Sequence, residues 1–140
     1  MVTLEVIKNR AYMLGQKIDV ERDSTLYPQF LEDENLRGEG ASIHVNDTLY
    51  HYTIMERGKV VKEYESKDLD EILFQLFYDI TFDMACKYEL EHRNENEDFR
   101  RILFTKQLEL LQAISNPYYE KGKQRIDEVL GRVPYRDRIA

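Results

Sequence analysis

Apolar residues recur every three or four positions at the start of the chain. Leu4, Ile7, Ala11, Leu14 and Ile18 fall on one helical face. Thr3 suits the N-cap of that helix, and Gly15 weakens its last turn by roughly 1 kcal/mol relative to alanine. Residues 19–40 lose the period. They are acidic, contain Pro28 and end in Gly38 and Gly40, which predicts a loop with one helical turn around Tyr27–Leu31. The period then shortens to two. Ala41, Ile43 and Val45 alternate with Ser42, His44 and Asn46, and Tyr50, Tyr52 and Ile54 alternate with His51, Thr53 and Met55. That alternation predicts two strands. With Asn46-Asp47 as a two-residue turn, Ile43 pairs with Tyr50 and Ala41 with Tyr52, leaving His44 and His51 on the opposite, free face. Arg57-Gly58 marks a second turn, and Val60–Tyr64 returns as a third strand.

From Ser66 the helical period resumes. Asp68 with Glu71 resembles a capping box, and Leu69, Ile72, Leu73, Leu76, Phe77, Ile80, Met84 and Tyr88 form one stripe. Phe74, Phe82 and Cys86 widen it, so this long helix is expected to be buried on most sides. Asn94 or Asn96 can cap the next helix, in which Phe99, Leu103, Leu110 and Ile114 align. Asn116-Pro117 stops that helix and starts another, with Asn116 as N-cap and Gly131 as C-cap candidate. The fold class that follows is α+β: a short antiparallel three-stranded meander packed against a layer of about four helices. No repeat or flexible linker interrupts the 140 residues, so a single domain, 1–140, is expected.

Composition narrows the class. Hydrophobic residues make up 42% and charged residues 34%, as in a folded soluble protein. The longest apolar runs are too short for a membrane span, and no signal peptide precedes the first helix, so a cytoplasmic location is expected. The net charge of −7 is unevenly spread. Residues 19–39 hold seven acids against two bases, and residues 98–140 hold six acids against nine bases. No basic face of the kind nucleic acid requires stands out, and the acidic blocks suit solubility or a basic protein partner.

Chemical signatures are sparse. His44 and His51 share a strand-pair face without a third ligand, so they read as exposed or interface side chains and not as a metal site. No cofactor is expected. Cys86 lies mid-helix, away from any helix N-terminus that would favour a thiolate. Asp79 and Asp83 sit one turn apart, and they are the residues that a carboxylate-based enzyme would use between sheet and helices. His92 closes a helix, where a positive ring complements the dipole. Arg93, Asp98, Arg100 and Arg101 form a distinctive group. Asp98 can interact with free N–H groups at a helix start, reach Arg101 three residues on, or be approached by Arg93. Planar guanidinium groups suit buried bidentate pairing, so the four are expected to clamp two helices together. Ten tyrosines and no tryptophan complete the picture, tyrosine being favoured at interfaces as well as at core rims.

With these residues in view, the chain resembles the bacterial immunity proteins of polymorphic toxin systems, and specifically the immunity protein 63 family. The similar features are Tyr50-His51-Tyr52 leading to Glu56-Arg57-Gly58, then Met84-Ala85 and Tyr88-Glu89-Leu90. Arg93, Asp98, Arg100-Arg101 and Phe104 follow, and Pro134-Tyr135-Arg136-Asp137 closes the run. The likeness covers roughly residues 40–137. It implies a small intracellular protein that binds a cognate toxin, by occlusion or by locking it out of its active shape, and catalyses nothing. Under that reading the partner surface is sought first at Glu32, Asp33, Glu34 and Glu39, with His44 and His51 on the free sheet face. A homodimer through the same face is a structural alternative.

Overall fold

The computed structural model describes residues 1–138, which fall into two compact units, Met1–Leu76 and a second beginning at Phe77. The first unit opens with helix α1, Leu4–Gln16, whose first turn is capped as expected: the Thr3 hydroxyl accepts the Val6 N–H at 3.3 Å. Ile7, Ala11 and Gly15 are its buried residues. Gly15, expected as a weak point, turns out to be a seat. The Tyr27 ring lies where a Cβ would stand, and the Tyr27 hydroxyl donates to the Val20 carbonyl at 3.0 Å. A side chain at Gly15 would displace that ring.

The sheet has four strands in the order β1-β2-β3-β4, not the three of the expected meander. They are β1, Gln29–Phe30; β2, Gly40–Val45; β3, Tyr50–Glu56; and β4, Lys59–Ser66. β1 runs parallel to β2, so the sheet is mixed. Two residues after Pro28 are too short to show a period of two, which hid this strand in the loop. The single helical turn of that loop falls at Glu34–Leu36 and is a 3₁₀ turn, further along than Tyr27–Leu31.

The β2–β3 register differs from expectation by two residues. Val45 pairs with Tyr50, His44 with His51 and Ile43 with Tyr52. The cause is Asn46. Its Oδ1 accepts the N–H groups of Thr48 and Leu49 at 2.9 and 2.8 Å, closing a four-residue loop instead of a two-residue one. A shift of two preserves the face of every side chain. The β3–β4 turn is the expected tight one, with Arg57 and Gly58 both at positive φ as a type I′ hairpin requires.

Helix α2, Leu69–Glu91, begins in the first unit and runs into the second. Asp68 caps it by accepting the Asp70 N–H at 2.9 Å, while Glu71 binds the Ser66 hydroxyl at 2.7 Å. Ile72 to Phe77 are all buried, but Phe82 is 41% exposed, so the far end is open on one side. The second unit continues with α3, Phe99–Ile114, and α4, Asn116–Arg132. Three expected caps are corrected. Asp98, and not Asn94 or Asn96, caps α3, because the Asn94 side chain is spent on the Asn96 N–H within the break. Ser115, and not Asn116, caps α4 through the Tyr118 N–H. Gly131 does not end α4, which continues to Arg132. Leu103, Phe104, Leu111, Ile114 and Ile126 are buried here, each contributing about 1.5–3 kcal/mol by leaving water. Gln107, fully buried, donates from its Nε2 to the Tyr78 carbonyl at 3.0 Å and thereby fixes α3 against α2.

Candidate interaction surface

The acidic residues sought at the surface are all exposed, and three of the four also hold their own loop in place. Asp33 accepts the Asn35 N–H at 2.9 Å and so caps the 3₁₀ turn. Glu34 approaches His44 Nε2 at 3.9 Å. Glu39 Oε1 accepts the Gly58 N–H at 3.1 Å, which ties the loop to the β3–β4 turn. Glu32 has no such role among the described residues and is exposed.

His44 and His51 are not on a free sheet face. They are 3% and 6% exposed, with rings stacked in parallel at 4.4 Å. The expectation of exposed or interface histidines is therefore corrected: this face of β2 and β3 is a buried polar layer that also holds Ser42 and Thr53. The physical reason is local. Charged and polar side chains from the 31–39 loop and from β4 lie against it, so polarity in the pattern did not mean solvent. Burial pushes the His44 imidazole below its ordinary pKa, and the neighbouring His51 adds to the effect. The Ser42 and Thr53 hydroxyls, His44 Nδ1 and Arg37 Nε are buried without a hydrogen-bond partner among the described residues. Ordered water customarily satisfies such atoms.

Strand β4 supplies two carboxylates that the sequence reading passed over. Glu65 stands opposite His51, and Glu63 opposite Thr53. Their Oε1 atoms lie 3.6 and 3.5 Å from His51 Nδ1. The pairing was legible once β3 and β4 were joined at Arg57-Gly58, because alternation places Glu63 and Glu65 on the histidine side. These three ligand atoms lie within 4.8 Å of one another, close enough to invite a metal ion. The tautomer argues otherwise. Asn46 Oδ1 is committed to backbone donors, so its Nδ2 faces His51 Nε2 at 2.8 Å and that nitrogen must accept. In the neutral ring the proton then sits on Nδ1, where a metal would need the lone pair. The trio fits an N–H facing two carboxylates better than it fits a metal ligand set.

In the second unit the arginine and aspartate group divides. The Asp98 carboxylate is paired with Arg100, at 2.8 Å from its Nη2, and not with Arg101 or Arg93. It also accepts the backbone N–H groups of Arg100 and Arg136. Those bonds, the one to the Arg100 side chain first, hold it well below the usual carboxylate range. Arg100 donates to the Val133 and Pro134 carbonyls at 2.8 and 2.9 Å. Arg101 pairs with Asp137 at 2.8 Å and lies over the Tyr135 ring at 4.2 Å from its centroid. Arg93 is elsewhere, in a bidentate pair with the buried Glu89. The geometry thus fastens residues 133–138 to the start of α3, whereas Arg93 pairs locally with Glu89 four residues earlier and does not clamp two helices together. Asp137 and Tyr135, which complete the fastening, were marked by the family resemblance and not by any periodicity that tied them to Asp98.

The side chains weighed for catalysis, Asp79, Asp83, Cys86 and His92, lie along α2 and just past its end. Cys86 is half-buried, and burial pushes its thiol up, away from a reactive thiolate. Asp83 is exposed, although partial desolvation raises its carboxyl. The His92 ring stacks on Tyr88 and engages the Tyr88 carbonyl at 2.9 Å, a local helix-end arrangement.

Residues 46–128, more than half of the chain, match the family described as Immunity protein 63. The chain belongs to the immunity protein 63 family. The matched segment includes His51, Glu63, Glu65, Arg93, Asp98, Arg100 and Arg101. Glu32, Asp33, Glu34, Glu39 and His44 precede it, so the family match and the acidic loop are independent observations. No curated protein and no solved structure matches the chain. Among the described residues no helix is long and apolar enough to cross a membrane.

Proposed function

We propose that this immunity protein 63 family member neutralises a cognate bacterial toxin by binding it, with no catalysis, inside the cytoplasm of the cell that makes both. Family membership carries this reading. The surface chemistry supports it, because the exposed acids Glu32, Asp33, Glu34 and Glu39 favour a basic protein partner over nucleic acid. A structured acidic loop also raises the association rate, since complementary charges steer the encounter before contact. His44 and His51 support the loop from beneath and are not assigned contacts. The clamp at Asp98, Arg100 and Arg101 acts as internal scaffolding.

The test is charge reversal of Glu32, Asp33, Glu34 and Glu39 together, with affinity for the toxin encoded in the adjacent gene measured across a salt series. Affinity should fall by at least about tenfold and its salt dependence should flatten. Unaltered affinity with an unaltered salt slope would remove the loop from the interface.

A further inference from the structure

We infer that strand β4 is a docking edge for an extended, basic segment of the toxin, a placement that rests on the binding function proposed above. The sheet ends at β4, and among the described residues no further strand pairs with its outer side. The strand is eight residues long, and Lys59 to Glu63 are all exposed. Val60 and Val61 are 43% and 48% exposed, an unusual display of two β-branched apolar side chains. A long exposed edge is a template for another strand, and proteins ordinarily blunt one with bulges or charges. Here the only irregularity lies at Val61, which has no residue opposite it, near the hairpin end. From Lys62 to Ser66 the strand is regular and presents ordered backbone donors and acceptors.

The chemistry beside that edge selects the occupant. A groove of about 400 Å³ follows β4 towards the first turns of α2, lined by Glu63, Tyr64, Glu65, Glu71 and Gln75 among others. Its described lining holds three carboxylates and no cation. Glu63 and Glu65 keep 36% and 48% of their side chains exposed, and the buried His51 lies beside both. Tyr64, held by stacking on Tyr52 at 5.8 Å, gives the groove an aromatic wall. Carboxylates at alternate positions on one strand face match basic side chains at alternate positions on an antiparallel or parallel partner strand. An arginine fits best, because its planar fork binds carboxylate bidentately where it faces Glu63 and Glu65, and at the alternate positions it can stack on the Tyr64 ring. Backbone pairing along Lys62–Ser66 would supply affinity, and the acidic groove would supply the choice of partner.

Hydrogen–deuterium exchange on the intact protein, with and without the toxin domain encoded in the adjacent gene, tests this directly. The expected result is slowed exchange of outward-facing amides within residues 62–66 on binding. Glu63→Gln with Glu65→Gln should weaken binding at least about tenfold, and Glu63→Lys with Glu65→Lys more strongly. Circular dichroism controls for folding, and the exchange result on the unaltered protein stands whether or not the variants fold. A toxin that binds while leaving the β4 amides unprotected overturns the docking edge and leaves the immunity function intact. Protection of β4 in the free protein that grows with concentration also overturns it, because the occupant is then a second copy. A toxin that does not bind at all removes the function, and this inference with it.

Discussion

Asp98 and Arg100 grip the same piece of chain from two sides. The carboxylate takes the Arg136 N–H at 2.9 Å, the guanidinium takes the Val133 and Pro134 carbonyls, and the two are paired to each other at 2.8 Å. Both side chains are largely buried, at 8% and 16% exposed. Asp98→Ala removes an N-cap and leaves Arg100 without its counter-charge. It should cost roughly 3 kcal/mol, read as a lowered urea midpoint or a fall of several degrees in Tm. A melt unchanged within a degree or two would refute the clamp.

The same pair predicts an acid limb of stability. The folded-state pKa of Asp98 is depressed, so its contribution is complete above the unfolded value near 3.8 and is lost as the pH falls below it. The resistance of the unaltered protein to chemical denaturation should therefore fall below about pH 4, and Asp98→Asn should flatten that limb. An equally steep limb in the variant would place the acid sensitivity elsewhere.

His44 acts earlier on the pH scale. The unfolded chain takes up a proton near the ordinary 6.5 of His44, whereas the folded chain resists it because burial and His51 lower the value. Stability should be full above pH 6.5 and fall from there towards the lower folded-state pKa, by at most about 1.4 kcal/mol per pH unit for one proton. Glu34 and Glu63 oppose the shift and Arg37 assists it, so the loss is expected to be partial. His44→Gln should remove most of the slope between pH 7 and pH 5. A slope that survives would assign it to another group.

Gly122 offers a packing test. A Cβ there would run into Cδ1 of Leu111, and Leu111 is fully buried and cannot easily yield. Glycine to alanine inside an exposed helix stabilises by up to about 1 kcal/mol. Gly122→Ala should instead destabilise by about 1–3 kcal/mol, as overpacked sites do. A more stable variant would show that α3 and α4 have room to adjust.

These cases show how far the residues alone could be read. Period located α1, the β2 and β3 strands and all three long helices, and turn residues located the Arg57-Gly58 hairpin, because each signal is local. The caps of α3 and α4 were misplaced by one to four residues. The two-residue strand at Gln29-Phe30 was too short to repeat anything, and its partner lies beyond the acidic loop. The register error came from a single residue, since Asn46 closes a four-residue loop with both its backbone N–H, which donates to the Leu49 carbonyl, and its amide oxygen, which accepts the Thr48 and Leu49 N–H groups. Asp98 stood out as a helix-start carboxylate. Its partners Arg136 and Asp137 are separated from it by 38 and 39 residues, a distance that no periodicity spans. The buried histidine face misled for a related reason, because alternation tells which side a residue faces and not whether something polar covers it.

Binding without catalysis is decided most directly by titrating the toxin encoded in the adjacent gene with this protein while following the toxin's own activity. The account predicts loss of activity that is complete at one equivalent, a complex of the two chains on gel filtration, and recovery of active toxin when they are separated under denaturing conditions and the toxin is refolded. Inactivation by a small fraction of an equivalent, persisting after separation and refolding, or full toxin activity at excess protein, would contradict it.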